Sequence, residues 1–221
     1  MRRTTAPQDF RRADLLEEVG LSTSILATGL EYTYELLDTI DLALISRGES
    51  RLAATIELAN LSAMIGNLLR SGISKASNGL FANNSPHTFP DLLHANNAKS
   101  NVEIKIALED NNPKGHLAKE GYHLTCRYVL GQADGRYDRA ARGNVVWVWE
   151  LRFGLLQTFH FNLSNTTGDS GKTAVINAAG LKALTPVYCC LPLCPISPDS
   201  RRYRELVQIF SKESDPPPPV Q

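Results

Sequence analysis

The chain has 221 residues, 43% of them hydrophobic and 21% charged, so it is long enough to fold around a hydrophobic core. Its 23 basic residues balance 23 acidic ones, which excludes a polybasic protein that binds nucleic acid through bulk charge. No apolar run is as long as a membrane span, the first residues lack the apolar stretch of a secretory signal, and the four cysteines lack Cys-x2-Cys spacing. We therefore expect a cytoplasmic protein with reduced thiols, no membrane partner and no zinc site.

The first 70 residues carry helical patterns. Ser22 or Ser24 is placed to cap a helix that runs to Ile45, and a glycine follows its end. From Glu49 to Arg70, apolar residues recur at spacings of three and four, which predicts a further helix with Glu57 at the border of its apolar stripe. We expect residues 1–48 to form a helical N-terminal extension that serves as a dimer interface or as an arm around a ligand.

Residues 71–90 are rich in Gly, Ser, Asn and Pro, which predicts a loop. From Val102 onward the sequence pattern is typical of strands. The strands are predicted at 102–108, 122–130, 145–151 and 158–163, with the last two as antiparallel neighbours. A helix at 173–184, a strand at 187–193 and a helix at 200–210 follow. This order predicts an α+β or mixed α/β domain over residues 49–211, with a central mixed sheet flanked by helices, and a disordered Pro-rich tail at 212–221.

Two charged residues share one face of an apolar strand. Glu103 and Lys105 flank Ile104, so their side chains project to the same side of the strand. Burying both would be costly unless a functional site uses them. Asp91 could approach Glu103 from a neighbouring element, and the main-chain carbonyl of Ile104 could add a further oxygen. Such an all-oxygen site suits Mg²⁺, with Mn²⁺ as a substitute, and Lys105 could then position a water or stabilise a phosphate transition state.

Pro90-Asp91 and Glu103-Ile104-Lys105 resemble the motif of the PD-(D/E)xK nuclease superfamily, which includes many type II restriction endonucleases. The resemblance covers roughly residues 50–194. It implies a restriction-endonuclease-like core of helix, three strands, helix and strand, with the Asp and the Glu-x-Lys on consecutive strands. It also implies metal ligation by Asp91 and Glu103, water activation or phosphate stabilisation by Lys105, and a helical glutamate near the metal, for which Glu57 is the candidate.

Other interpretations of the same residues stay open. Pro-Asp is a common turn dipeptide, and Glu103 with Lys105 could form a solvent-exposed pair on an edge strand. Gly171-Lys172-Thr173 resembles the end of a phosphate-binding loop, but Thr166 occupies the position of the first glycine. We therefore expect no nucleotide cofactor.

Three arginines mark a candidate DNA-contacting loop. Arg136, Arg139 and Arg142 lie in the polar connection after the second predicted strand, although a plain solvated hairpin loop would look the same. Lys172 could touch a DNA phosphate. The sequence thus predicts a Mg²⁺-dependent endonuclease of the type II restriction kind that acts on double-stranded DNA as a homodimer. The alternatives are a repair nuclease or junction resolvase of the same fold, or a non-catalytic DNA-binding protein that kept the fold.

Overall fold

The computed structural model describes residues 3–86, 88–164 and 173–211. The helices in these ranges are α1 (Ala13–Glu17), α2 (Thr23–Ile45), α3 (Leu52–Thr55), α4 (Leu58–Ala76), α5 (Ala178–Ala183) and α6 (Arg201–Phe210). The strands are β1 (Phe81–Asn83), β2 (Leu92–His94), β3 (Val102–Leu108), β4 (Lys114–Gly115), β5 (Gly121–Gly131), β6 (Val145–Leu156), β7 (Phe161–Ser164), β8 (Thr173–Ile176) and β9 (Thr185–Cys189). None of these helices is both long and apolar enough to cross a membrane.

Six strands form a mixed central sheet in the order β1-β2-β3-β5-β6-β9. Strands β3 and β5 run parallel, and every other neighbouring pair in this sheet is antiparallel. A second, three-stranded sheet has the order β4-β8-β7. The predicted class, an α+β domain with a mixed sheet flanked by helices, is confirmed.

Helices α2 and α4 pack together over one face of the central sheet. Their apolar side chains, such as Leu30 and Ile65, join the inward residues of β3, β5 and β6 in one hydrophobic core. The helices approach so closely that a β-carbon on Gly72 would lie 2.7 Å from the carbonyl oxygen of Gly29. The sequence boundary expected at residue 48 therefore divides helices that share one core, and the role of residues 1–48 in dimerisation or embracing DNA stays a prediction.

The opposite face of the sheet is covered by the C-terminal elements. Trp149 and Cys189 form a second apolar cluster with Leu206 and Phe210 of α6. Leu156 packs in a third cluster with residues of the small sheet and of the α5 region. Several polar residues of the central sheet are buried, among them Glu103, His123, Thr125, Arg127 and Glu150.

The helix predicted from Glu49 to Arg70 is wrong in its bounds. The chain leaves helical geometry at Ile56 and Glu57, both of which have extended backbone angles, so two helices form instead of one. Helix α4 then continues to Ala76, because the apolar stripe extends to Ile73, which is buried against α2 and the sheet. The first residues of the predicted loop 71–90 are consequently helical.

Three predictions after residue 157 need correction. The helix predicted at 173–184 begins only after the Asn177 cap, because the β-branched residues before it form β8. The strand expected at 158–163 is a 3-10 turn followed by β7, which pairs with β8 and not with β6. The strand expected at 187–193 is β9, shifted toward the N-terminus, and it lies at the sheet edge beside β6. The helix that the resemblance implies after the Glu-x-Lys strand is not found at that position. Strand β5 is the parallel partner of β3, and residues 109–120 between them contain the short β4 and no helix.

Candidate metal centre

Strands β2 and β3 bring Asp91 next to the Glu-x-Lys motif. Asp91 directly precedes β2, and Leu92 pairs with Val102 at the start of β3. The Asp91 carboxylate accepts a hydrogen bond at its Oδ2 from the main-chain N–H of Ile104, at 2.8 Å. Because the N–H and C=O of one strand residue point to the same side, the carbonyl of Ile104 also lies on the Asp91 side of β3. The sequence-predicted proximity of Asp91 to Glu103 is thus present in the structure.

Two ammonium groups engage the carboxylate of Glu103. The Nζ atoms of Lys105 and Lys119 both donate to Glu103 Oε1, the latter at 3.3 Å. The side chain of Glu103 is 3% exposed and that of Lys105 is 12% exposed. Since β3 lies between β2 and β5, the alternative of a solvent-exposed pair on an edge strand is wrong.

Strand β5 extends the polar surface across the sheet. In the parallel register Glu103 is level with His123 and Lys105 with Thr125, so the four side chains occupy one face. His123 is buried, and its Nδ1 lies 2.9 Å from the carbonyl oxygen of Gly121, to which it donates as the protonated nitrogen. The face that carries the Glu-x-Lys motif therefore continues into β5 as polar residues inside the protein.

Several buried polar atoms of this region lack a hydrogen-bond partner among the described residues. They are Glu103 Oε2, His123 Nε2, Thr125 Oγ1 and Arg70 Nε. Arg70 belongs to the site because its Nη1 lies 3.8 Å from Asp91 Oδ1. Buried polar atoms in folded proteins are nearly always hydrogen-bonded to protein or water. Their concentration here indicates a place where water or a ligand completes the structure.

The charges around the two carboxylates act on them in opposite directions. Burial and the neighbouring Glu103 charge raise the pKa of Asp91 above its usual value. Burial also acts to raise the pKa of Glu103, but Lys105 and Lys119 outweigh it and lower that pKa. Burial lowers the pKa of His123 to about 4, so its imidazole is neutral at pH 7. At neutral pH the site combines a firmly ionised Glu103 with an Asp91 that gains from a further positive charge.

The donor atoms fit a hard divalent cation of the Mg²⁺ type. Glu103 Oε2 is buried and lacks a described partner, and the pKa of the nearby Asp91 carboxylate is raised by burial and by the Glu103 charge, both of which a bound cation would offset. Mg²⁺ is commonly held by one or two carboxylates, with water and substrate phosphate as its other ligands. Among the described residues, no group of three or more His, Cys, Asp or Glu side chains is arranged to hold a metal. Any cation at this centre therefore depends on Asp91 and Glu103, with the Ile104 carbonyl as the further candidate.

Glu57 does not reach this centre. It is exposed and precedes the first turn of α4, whereas Arg70, which approaches Asp91, lies thirteen residues further along. At about 1.5 Å per helical residue the two positions are roughly 20 Å apart. The expectation that Glu57 completes the metal ligands is corrected for this reason: the chain enters α4 at the far end from the carboxylates.

The predicted DNA-contacting arginines also lie away from the carboxylates. The connection between β5 and β6 contains Arg136, Arg139 and Arg142. It follows the end of β5, which lies eight residues beyond His123, and His123 is level with Glu103. At about 3.3 Å per residue this loop begins roughly 26 Å from the centre. Arg136 is 83% exposed and pairs with an aspartate of its own loop. Lys172 lies outside the described residues, and the DNA contacts of all four residues stay predictions.

Arg70, His123 and Thr125 belong to the site but were not predicted from the sequence. Arg70 looks like an ordinary residue near the end of a helix, and nothing local marks its approach to Asp91. His123 and Thr125 alternate with apolar residues along β5, which indicates that they share one face of that strand. Only the pairing of β5 with β3 shows that this face continues the one that carries Glu103 and Lys105. These residues could not be predicted from the sequence because contacts between distant segments bring them to the site.

Comparison with protein-family models and with curated proteins finds no match to this chain. The resemblance to the PD-(D/E)xK superfamily consequently depends on the motif residues and on the geometry described above.

Proposed function

We propose that the chain is a Mg²⁺-dependent endonuclease that hydrolyses phosphodiester bonds of double-stranded DNA, of the type II restriction kind, built on a restriction-endonuclease-like core. One observation carries the proposal: Asp91, Glu103 and Lys105 converge at paired strands, with a buried carboxylate oxygen that has no described partner. The order of helix α4 and the antiparallel strands β1, β2 and β3 supports the same core.

The charge of the centre supports a phosphate substrate. Lys105, Lys119 and Arg70 contribute three positive charges, and Asp91 with Glu103 contributes two negative ones. The sum is one excess positive charge, which a bound divalent cation would increase. A centre with this balance attracts a phosphodiester anion more strongly than a neutral substrate.

Each residue has a role that follows from its position. Asp91 and Glu103 would hold the cation, which when bound supplies charge neutralisation on the phosphate and a more acidic water. Lys105, held against Glu103, is placed to donate a hydrogen bond to the attacking water or to a phosphate oxygen. Lys119 shares the same carboxylate oxygen and is the second ammonium available to a phosphate. Arg70 balances Asp91 from the side of α4.

Cleavage of both strands at one locus favours two copies of the chain related by a twofold axis, so the proposal includes a homodimer. A monomer with one centre would nick one strand for each binding event. Comparing nicked with linear product early in the reaction distinguishes these cases.

The test is incubation of supercoiled plasmid and phage DNA with the purified chain, in Mg²⁺, in Mn²⁺ and in chelator. We expect cleavage with either metal, none with chelator, and a loss of at least roughly 100-fold in rate for Glu103→Gln and Lys105→Met. Glu57→Gln is the matched control and keeps the parent rate, because it removes a carboxylate far from the centre.

The products decide among the nuclease classes. Discrete bands support a site-specific endonuclease, a smear supports a nonspecific repair nuclease, and preferential cutting of four-way junctions supports a resolvase. Metal-dependent DNA binding without any cleavage supports a non-catalytic protein of this fold. If Glu103→Gln cuts as fast as the parent, the assignment of the centre is wrong.

A further inference from the structure

A cavity of about 440 Å³ lies between α5, β9 and α6, on strands other than those of the candidate metal centre. Its volume is within the usual range for small-molecule sites. Its lining combines basic with apolar side chains and contains none of the residues of the candidate metal centre. Its basic residues are Arg152, Lys182 and Arg202, and its apolar residues include Leu181, Leu184 and Ile209.

A buried ion cluster with excess positive charge borders this cavity. Glu150 is 1% exposed, and Arg127 Nη1 donates to its Oε2. Arg152 Nε donates to Glu150 Oε1 at 2.8 Å, and Arg202 Nη2 lies 3.7 Å from Oε2. Three guanidinium groups therefore surround one carboxylate. Arg127 Nη2 has no hydrogen-bond partner in the described part of the chain, so the carboxylate does not satisfy the cluster.

The charged side chains at the mouth leave this excess in place. Lys182 adds a further positive charge to the lining. Glu205 adds a negative one, but its Oε1 already accepts a hydrogen bond from Arg201 Nε at 2.8 Å. Arg202 also feels the negative charge of Asp110 at longer range. The cavity thus presents Arg202 and Lys182 toward a ligand without an equal number of free carboxylates.

The remaining wall is apolar. Leu181, Leu184, Leu206 and Ile209 line it, and Ile209 is among the exposed large hydrophobic residues of the chain. An apolar wall beside guanidinium groups is the arrangement that binds an amphiphilic anion, since the two surfaces select different ends of the molecule.

We propose that this cavity binds a small organic anion, with a carboxylate or phosphate head at Arg202 and Lys182 and an apolar body against the leucine and isoleucine side chains. The inference is independent of the nuclease proposal, because it uses different residues and predicts binding without any reaction.

The test is isothermal titration calorimetry of the full chain with octanoate and with octyl phosphate as the charged probes, and with octanol and inorganic phosphate as the matched controls. We expect both charged amphiphiles to bind more tightly than octanol and inorganic phosphate. The relative affinities of octanoate and octyl phosphate identify the preferred head group.

Paired variants locate the site. Arg202→Met should weaken octanoate binding roughly tenfold or more, since a hydrogen bond between charged groups is lost. Arg204→Met, which removes the same charge from an exposed position of α6 outside the cavity lining, should leave binding unchanged. Arg127 and Arg152 still pair with Glu150 in Arg202→Met, and its thermal melting curve verifies folding. Ile209→Asn tests the apolar wall without touching the ion cluster and should also weaken octanoate.

The proposal is overturned if no charged amphiphile binds the parent chain, or if octanol binds as tightly as octanoate. It is also overturned if Arg204→Met and Arg202→Met weaken binding equally, because the anion would then be attracted by the surface charge of α6 and not held in the cavity.

Discussion

The buried imidazole of His123 makes the stability of the fold depend on pH. Its pKa is about 4 in the folded chain, against an ordinary value of 6.5, because burial disfavours the charged ring. Below pH 6.5 the unfolded chain takes up a proton at this position while the folded chain does not. The stabilisation from a neutral His123 is therefore complete above pH 6.5 and is lost as the pH falls toward 4.

The size of this effect follows from the two pKa values. Each pH unit between them corresponds to about 1.4 kcal/mol, so the loss is about 2 kcal/mol at pH 5 and about 3 kcal/mol once the pH reaches 4. Urea denaturation at pH 7.5 and pH 5, with chelator present, measures the free energy of unfolding in each condition. His123→Gln should lose about 2 kcal/mol less than the parent between these two values.

The control is His116→Gln, which removes an exposed histidine from the same part of the chain. This variant should show the same pH dependence as the parent. If His123→Gln and the parent lose equal free energy between pH 7.5 and pH 5, then His123 is not held neutral by burial, and the account of this part of the candidate centre fails.

Two further predictions concern the packing of the fold. Glu150→Leu should lower the free energy of unfolding by about 3–5 kcal/mol, because Arg127 and Arg152 lose their buried partner. The double variant Glu150→Leu with Arg127→Leu should recover part of this loss, and chemical denaturation measures both. Gly72→Ala should cost about 1–3 kcal/mol, since its β-carbon would meet the backbone of α2. Gly66→Ala, whose β-carbon would contact only the side chain of Ile106, at 3.2 Å, should cost less than Gly72→Ala, and equal losses for the two alanine variants would contradict the close helix contact.

Local sequence signals predicted the elements that depend on local forces. The Ser22 cap marks the start of α2, and its side chain accepts a hydrogen bond from the N–H of Ile25 as that signal implies. The alternation of Val102–Leu108 predicts β3 with its bounds. The placement of Glu103 and Lys105 on one face follows from that alternation alone.

Features set by distant contacts could not be predicted in this way. The parallel pairing of β3 with β5 joins segments with no common local pattern, and it alone brings His123 level with Glu103. The break before α4 separates Glu57 from the stripe that suggested it as a ligand. Arg70 approaches Asp91 only because α4 packs against β1 and β3, which flank β2 in the sheet.

In the proposed metal centre, Asp91 and Glu103 together hold a divalent cation. Electron paramagnetic resonance measures the binding of Mn²⁺ to the parent, to Asp91→Asn, to Glu103→Gln and to the control Glu57→Gln. We expect bound Mn²⁺ in the parent and in Glu57→Gln, and a loss of binding in each of the other two variants. Equal Mn²⁺ binding by the parent, Asp91→Asn and Glu103→Gln, or no binding by the parent, would contradict it.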